Sequence, residues 1–250
     1  MCIKAYLQEK LDWFLDYYQK NVEPARIFRA ALLGAADVNS PAIRNLKETA
    51  FWDHRMPEEL MDRPTVVIAY FLAFAHEVGD GNAARGGNLP SDQWAYSYDY
   101  TFRIADAIRG FLISEIEKLG YRAVSPEGVD MNEEELKSPW SHRHLAYAAG
   151  LGTFGINNML ITELGCCGRY DTFLSDIPIE TGSPIETEYC LYKKDKSCRI
   201  CVDNCFAGAL TTDGFDRFRC SETLKTNLPI VGQEVCGKCV TGIPCAYRIP

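Results

Sequence analysis

The sequence predicts an α/β body over residues 1–185 followed by a small cysteine-rich domain over residues 186–250. Three observations carry that expectation. Thr65 to Leu72 is an unbroken β-rich apolar run, long enough for a buried strand. Tyr100 to Leu119 shows helical spacing, with apolar residues at Phe102, Ala105, Ile108, Phe111, Leu112, Ile116 and Leu119, and Gly120 as its stop. Eight cysteines then fall within the last sixty or so residues. At 250 residues and 47% hydrophobic content, one sizeable core with an appended small domain is expected.

The elements follow in order. Leu7, Leu11, Phe14, Leu15 and Tyr18 mark an N-terminal helix over 5–20. The alanine-rich stretch from Ala25 to Ala36 reads as a second helix, or as a strand with a turn at Gly34. Asn39-Ser40-Pro41 starts a short helix through Glu48. Gly79 to Pro90 reads as a loop, and Tyr96, Tyr98 and Tyr100 alternate as on a strand ahead of the long helix. Tyr121 to Val124 reads as a strand, and residues 125–141 as a solvated acidic insert.

The cysteines supply the chemistry. The first group reads Cys198-x-x-Cys201-x-x-x-Cys205, and the second Cys236-x-x-Cys239 with Cys245 beyond. Cys190 and Cys220 are outliers. In two-cluster ferredoxins the last cysteine of one run ligates the other cluster. Two 4Fe–4S clusters are therefore expected, one on Cys190, Cys198, Cys201 and Cys245, the other on Cys205, Cys220, Cys236 and Cys239. Structural zinc and disulfides are the competing readings. Zinc prefers paired C-x2-C units, and disulfides need an oxidising compartment. The start Met1-Cys2-Ile3-Lys4 lacks the features of a signal peptide, and no apolar run reaches the roughly 20 residues that span a bilayer, so a cytoplasmic protein is expected. Cys166 and Cys167 are read as buried filling, with a redox role held in reserve.

Charge is uneven. Residues 190–250 hold nine Lys/Arg against six Asp/Glu, while residues 1–189 hold 17 against 28. The acidic body argues against broad contact with a nucleic-acid backbone.

A second signal runs from Ser141 to Thr162. A short helix bearing His142, Arg143 and His144 leads into Gly150-x-Gly152-x-x-Gly155-x-Asn157. This spacing satisfies the dinucleotide fingerprint, but it follows a helix and not a strand, so that reading fails on context. The motif from Arg143 to Asn157, with Gly168-Arg169, Leu174-x-Asp176-Ile-Pro178 and the two cysteine groups, resembles epoxyqueuosine reductases. More distantly it is similar to corrinoid reductive dehalogenases. The resemblance implies a nitroreductase-like α/β (α+β) body that holds cobalamin against a C-terminal two-cluster ferredoxin-like domain. By position it places Arg143, Gly150, Gly152, Gly155 and Asn157 along the cofactor. It implies a low-potential electron donor such as ferredoxin or flavodoxin.

The chain departs from that family in two ways. No aspartate aligns in Val124 to Gly128, where the family carries its acid. Tyr98, Tyr100, His142 and His144 are the proton donors expected in its place. The sequence also ends at Pro250, just past its last cysteine, without the family's helical-repeat extension, so tRNA is not expected as substrate. The expected function is a cobalamin-dependent iron–sulfur reductase acting on an unidentified small molecule or protein, with no membrane partner. A two-cluster electron carrier and a flavin-dependent reductase are the alternatives.

Overall fold

The computed structural model describes residues 2–250. Helix α1 (Ile3–Tyr17) is followed by a π-helical turn and by strand β1 (Phe28–Asp37). Three one-turn helices, α2 (Pro41–Arg44), α3 (Leu46–Thr49) and α4 (Pro57–Leu60), lead to β2 (Val66–Phe74). Then come α5 (His76–Ala84), α6 (Asp92–Lys118), β3 (Ala123–Val124) and α7 (His142–Ala148). The hairpin β4 (Thr153–Phe154) and β5 (Leu160–Ile161) precedes β6 (Gly168–Ser175), and α8 (Leu191–Asp195), α9 (Ile200–Asp203) and α10 (Arg217–Val231) complete the chain.

The main sheet has the order β1-β2-β6-β3, and every pair is antiparallel. All nine residues of β2 are buried, because this central strand is covered on both faces. Ile68, Tyr70, Leu72 and Phe74 face α1 and α6, while Val67 and Ala69 face α7 and Trp140. The fold is thus a mixed α/β architecture built on an antiparallel sheet.

Helix α1 buries Leu7, Leu11 and Leu15 as one stripe. Phe14 stacks on Phe111 of α6 at 4.5 Å. Glu115 of α6 is held by Tyr6 (2.6 Å), Lys10 (3.1 Å) and Lys118 (2.5 Å), and these partners lower its pKa to about 2.

Three local expectations change. Residues 28–37 form one strand that runs straight through Gly34, paired with Ala69, so no turn occurs there. Gly34 is needed for packing: a Cβ would lie 2.9 Å from Leu151 and 3.0 Å from the Ala149 carbonyl. The first half of the expected loop from Gly79 to Pro90 is instead the end of helix α5. The long helix begins at Asp92, capped by the Ser91 hydroxyl accepting from Trp94 N–H, so the three tyrosines stand on a helix instead of a strand.

The C-terminal segment packs into the same core. Cys166 and Cys167 N–H donate to the Cys245 and Ala246 carbonyls at 2.9 Å each. Asn82 of α5 donates to the Cys236 carbonyl at 2.9 Å. Gly237 lies so close to Trp94 that a Cβ would sit 2.3 Å from the indole. Helix α5 and the start of α6 therefore seat the Cys236–Cys239 loop. No helix among the described residues is long and apolar enough to cross a membrane.

Candidate functional site

The eight C-terminal cysteines separate into two sets of four. Cys190, Cys198, Cys201 and Cys245 line one narrow hollow of about 20 Å³, with Gly155, Ile156 and Asn157 on its other side. Cys205, Cys220, Cys236 and Cys239 line a second cavity of about 280 Å³, beside Trp94 and Tyr98. All eleven cysteines are free thiols. Burial, reinforced by neighbouring thiols, pushes Cys201 and Cys239 up to about 12 and Cys220 up to about 11. A bound cationic centre reverses that preference, because only the thiolate ligates. Among the described residues, no three His, Cys, Asp or Glu side chains converge tightly enough to hold a single ion.

Asn157 stands between the sets and borders both hollows. Its amide donates to the Cys239 carbonyl at 3.0 Å and approaches Cys166 Sγ at 3.7 Å. Its oxygen accepts from Met159 N–H at 3.2 Å, which fixes the amide's orientation. Cys166 and Cys167 are fully buried, and Cys166 Sγ lies 4.0 Å from Cys245 Sγ.

A wider cleft of about 400 Å³ adjoins the second cavity. Met159 and Arg169 line both, and Trp140, His142, Arg143 and Tyr170 line the outer part. His142 Nδ1 lies 2.8 Å from Thr172 Oγ1, which also accepts from the Trp140 indole, and 3.4 Å from Asp171 Oδ1. Burial lowers the His142 pKa while the Asp171 carboxylate pulls it back up. Arg143 donates to the Asn158 carbonyl and meets Met159 Sδ at 3.5 Å. Arg169 lies over the Tyr98 ring at 5.2 Å and near Phe74 and Trp94.

The remaining expected site residues lie elsewhere. Tyr98 borders the cleft, but Tyr100 does not: it is fully buried and donates to the Glu23 carbonyl at 2.9 Å. Two residues apart on a helix is a rotation of roughly 200°, so the two tyrosines face opposite ways. On the strand expected from sequence they would share a face. His144 lines a separate pocket with Leu46 and Tyr147, packs at a tilt against Phe154 with ring centres 4.8 Å apart, and is pushed down to about 4 by burial.

The glycine turn is closed by the chain itself. Gly150 has φ +75°, and a Cβ there would lie 2.7 Å from the Ser183 carbonyl. At Gly152 it would lie 2.1 Å from the Ile161 carbonyl. Of the three, only Gly155 borders a hollow, the narrow one. Arg169, Met159 and Trp94 are cleft residues that the sequence reading did not assign to the site.

These features define a class: an antiparallel α/β body whose C-terminal cysteines form two fourfold sets, one of them adjoining a cleft. The chain resembles epoxyqueuosine reductases and corrinoid reductive dehalogenases. It is 29% identical to epoxyqueuosine reductase of Cyclobacterium marinum over 138 residues, which is 54% of this chain and 41% of that protein. The solved epoxyqueuosine reductase of Streptococcus thermophilus superposes with a TM-score of 0.58 at 16% identity, covering 100% of this chain and 68% of that one. A catabolic reductive dehalogenase, solved with 3-bromo-4-hydroxybenzoic acid, gives a TM-score of 0.61 at 16% identity over 87% of this chain and 30% of its own. No family model matches the chain.

Proposed function

We propose that the chain is a cytoplasmic iron–sulfur reductase whose two ferredoxin-like 4Fe–4S clusters feed electrons into the cleft. One observation carries the reading: eight thiols fall into two sets of four, each around its own hollow, and the hollow of the Cys205 set shares Met159 and Arg169 with the cleft. A cubane separates its four thiolates more widely than a single zinc ion does, and neither set closes on one point. The second cavity has room at its centre. In the narrow hollow the cysteines must turn outward about χ1 to hold a cluster.

The cleft's chemistry also fits a corrinoid. In the inner cavity Tyr98 offers a hydroxyl donor beside the apolar Trp94, Met159 and Leu210, and a corrinoid presents amide carbonyls as acceptors. A reductive dehalogenase of similar fold is described as acting by B12-dependent dehalogenation. Trp94, Tyr98 and Met159 would hold the cofactor beside the Cys205 set, leaving the outer lobe at His142 for substrate. When bound, the cobalt centre supplies low-potential electron chemistry; the protein supplies position and a proton. His142 and Tyr98 are the proton-bearing groups that reach the cleft.

A small ferredoxin or flavodoxin is the fitting electron donor. The acidic body disfavours tRNA as substrate, and salt-sensitive sub-micromolar tRNA binding would reverse that assignment. Anaerobic reconstitution tests the whole reading. Iron and sulfide should each approach about eight per chain, and added cobalamin should be retained with its visible bands. Zinc in place of iron would overturn the cluster assignment, and retained flavin bands would move the reading to a flavin reductase.

A further inference from the structure

Arg143 and Arg169 meet at one cleft without a carboxylate partner. Among the described residues neither forms an ion pair, whereas Arg103, Arg109 and Arg122 all do. The hydrogen bonds of Arg143 go to a carbonyl and a thioether. The neighbours of Arg169 are aromatic faces. The outer lobe is lined by these two arginines and His142, and no carboxylate lines it. Glu234 borders the inner cavity, on the thiol side. Asp171 stands behind His142, only 5% exposed, and is occupied by Arg109 and by Tyr70 at 2.7 Å.

Such an arrangement is costly in an apolar setting. Burial lowers the pKa of both guanidinium groups, and the charge of Arg169 adds to the effect on Arg143. The chain as a whole carries −8, with 34 Asp and Glu against 26 Lys and Arg, yet no carboxylate lines this lobe. Two like charges brought together without a partner are stabilised when an anion bridges them. Guanidinium forks suit planar carboxylate or phosphate oxygens. Trp140 and Tyr170, in the same lobe, provide flat apolar surface beside that anchor.

We propose that the outer lobe is an anion site, in which Arg143 and Arg169 clamp a carboxylate or phosphate of the substrate while His142 stands beside it. The substrate class is therefore a small anionic molecule. The word substrate rests on the reductase reading; the anion site does not.

Calorimetry on the reconstituted full chain tests it, with iron and sulfide counted on the same sample. Benzoate is the anionic probe, benzamide its neutral counterpart, and inorganic phosphate the competitor. Benzoate should bind about tenfold or more tighter than benzamide, and phosphate should displace it. Arg169→Gln and Arg143→Gln should each weaken benzoate by about tenfold and leave benzamide unchanged. Arg169→Lys, checked by its melting temperature, keeps the charge if a glutamine variant fails to fold, and should retain part of the preference. Equal affinity for benzoate and benzamide, or no benzoate binding by the native chain, overturns the anion site. Benzoate binding that persists in cobalamin-loaded protein supports a substrate anchor. Binding lost on loading overturns that assignment and gives the arginines to the cofactor's phosphate. Full iron content without benzoate binding defeats this inference alone, and benzoate binding without iron defeats only the reductase reading.

Discussion

The same residue types stand on two sides of this molecule in different company. Cys239, Tyr98 and His142 belong to the cleft or to the cavity that adjoins it. Cys190, Tyr100 and His144 sit away from it, in a narrow hollow, in the core and in a separate pocket. Residue type therefore says little about role here. The tyrosines separate most clearly: Tyr98 keeps its polar end at the cavity, and Tyr100 has spent it on the protein's own backbone. Tyr100 has given its hydroxyl to Glu23, while His142 keeps a ring edge in the cleft.

The thiols test this contrast most strongly. Cys239→Ala and Cys190→Ala should each lose about four of eight irons. Their effects on the cleft should differ. With Cys190→Ala the set whose hollow adjoins the cleft survives, and dithionite-reduced protein should still reduce an acceptor bound there. With Cys239→Ala the surviving set has the wall containing Asn157 between itself and the cleft, and that reduction should fall away. Equal rates in the two variants would erase the distinction between the hollows. Full iron content in Cys190→Ala would shift suspicion to Cys166, which already lies 4.0 Å from Cys245.

The glycine turn comes next in size. If Gly152 serves a ligand, Gly152→Ala should weaken cofactor retention and leave the apoprotein stable. The structure points the other way, since a Cβ would collide with the Ile161 backbone at 2.1 Å. The expected cost is about 1–3 kcal/mol of stability in the apoprotein itself. Denaturant unfolding without cofactor measures it.

The element types were largely legible in the sequence, and the site only in part. The strand at 66–74 announced itself because a strand buried on both faces is continuously apolar. The expected partition of the cysteines rested on the ligand pattern of two-cluster ferredoxins, and the two hollows group the same residues. The glycines were harder. A glycine that admits a ligand and one that admits another stretch of the same chain look identical in sequence. The tyrosines failed for a related reason. Tyr96, Tyr98 and Tyr100 carry a period of two, and tertiary packing placed them on a helix capped at Ser91. Arg169 was invisible as a cleft residue because its neighbours Phe74, Trp94 and Tyr98 come from distant parts of the chain.

The tyrosine pair gives a smaller effect. Tyr100→Phe leaves the buried Glu23 carbonyl without its partner and should cost about 1–2 kcal/mol. Tyr98→Phe removes a hydroxyl that faces the cleft and should stay within about 0.5 kcal/mol of the native stability. Equal losses would mean that both hydroxyls support the fold.

The histidines give the smallest effect, and its sign distinguishes them from the carboxylates. Burial holds His144 neutral, with a folded pKa of about 4 against an ordinary value near 6.5. Between those values the unfolded chain binds a proton that the folded chain refuses. Stability from this group is complete above about pH 6.5 and declines as pH falls toward 4. Glu115 acts over a lower window, from the ordinary carboxylate range down toward about 2. Unfolding at pH 7 and pH 5 therefore isolates most of the histidine contribution. After allowance for partial exposure, the native chain should lose about 1 kcal/mol or less over that interval through His144. His144→Gln should flatten that part of the profile. His142→Gln should flatten it less, because Asp171 opposes the downward shift of His142. A slope untouched by His144→Gln would mean that its pocket opens to water and that the two histidines do not differ in burial as the structure has them.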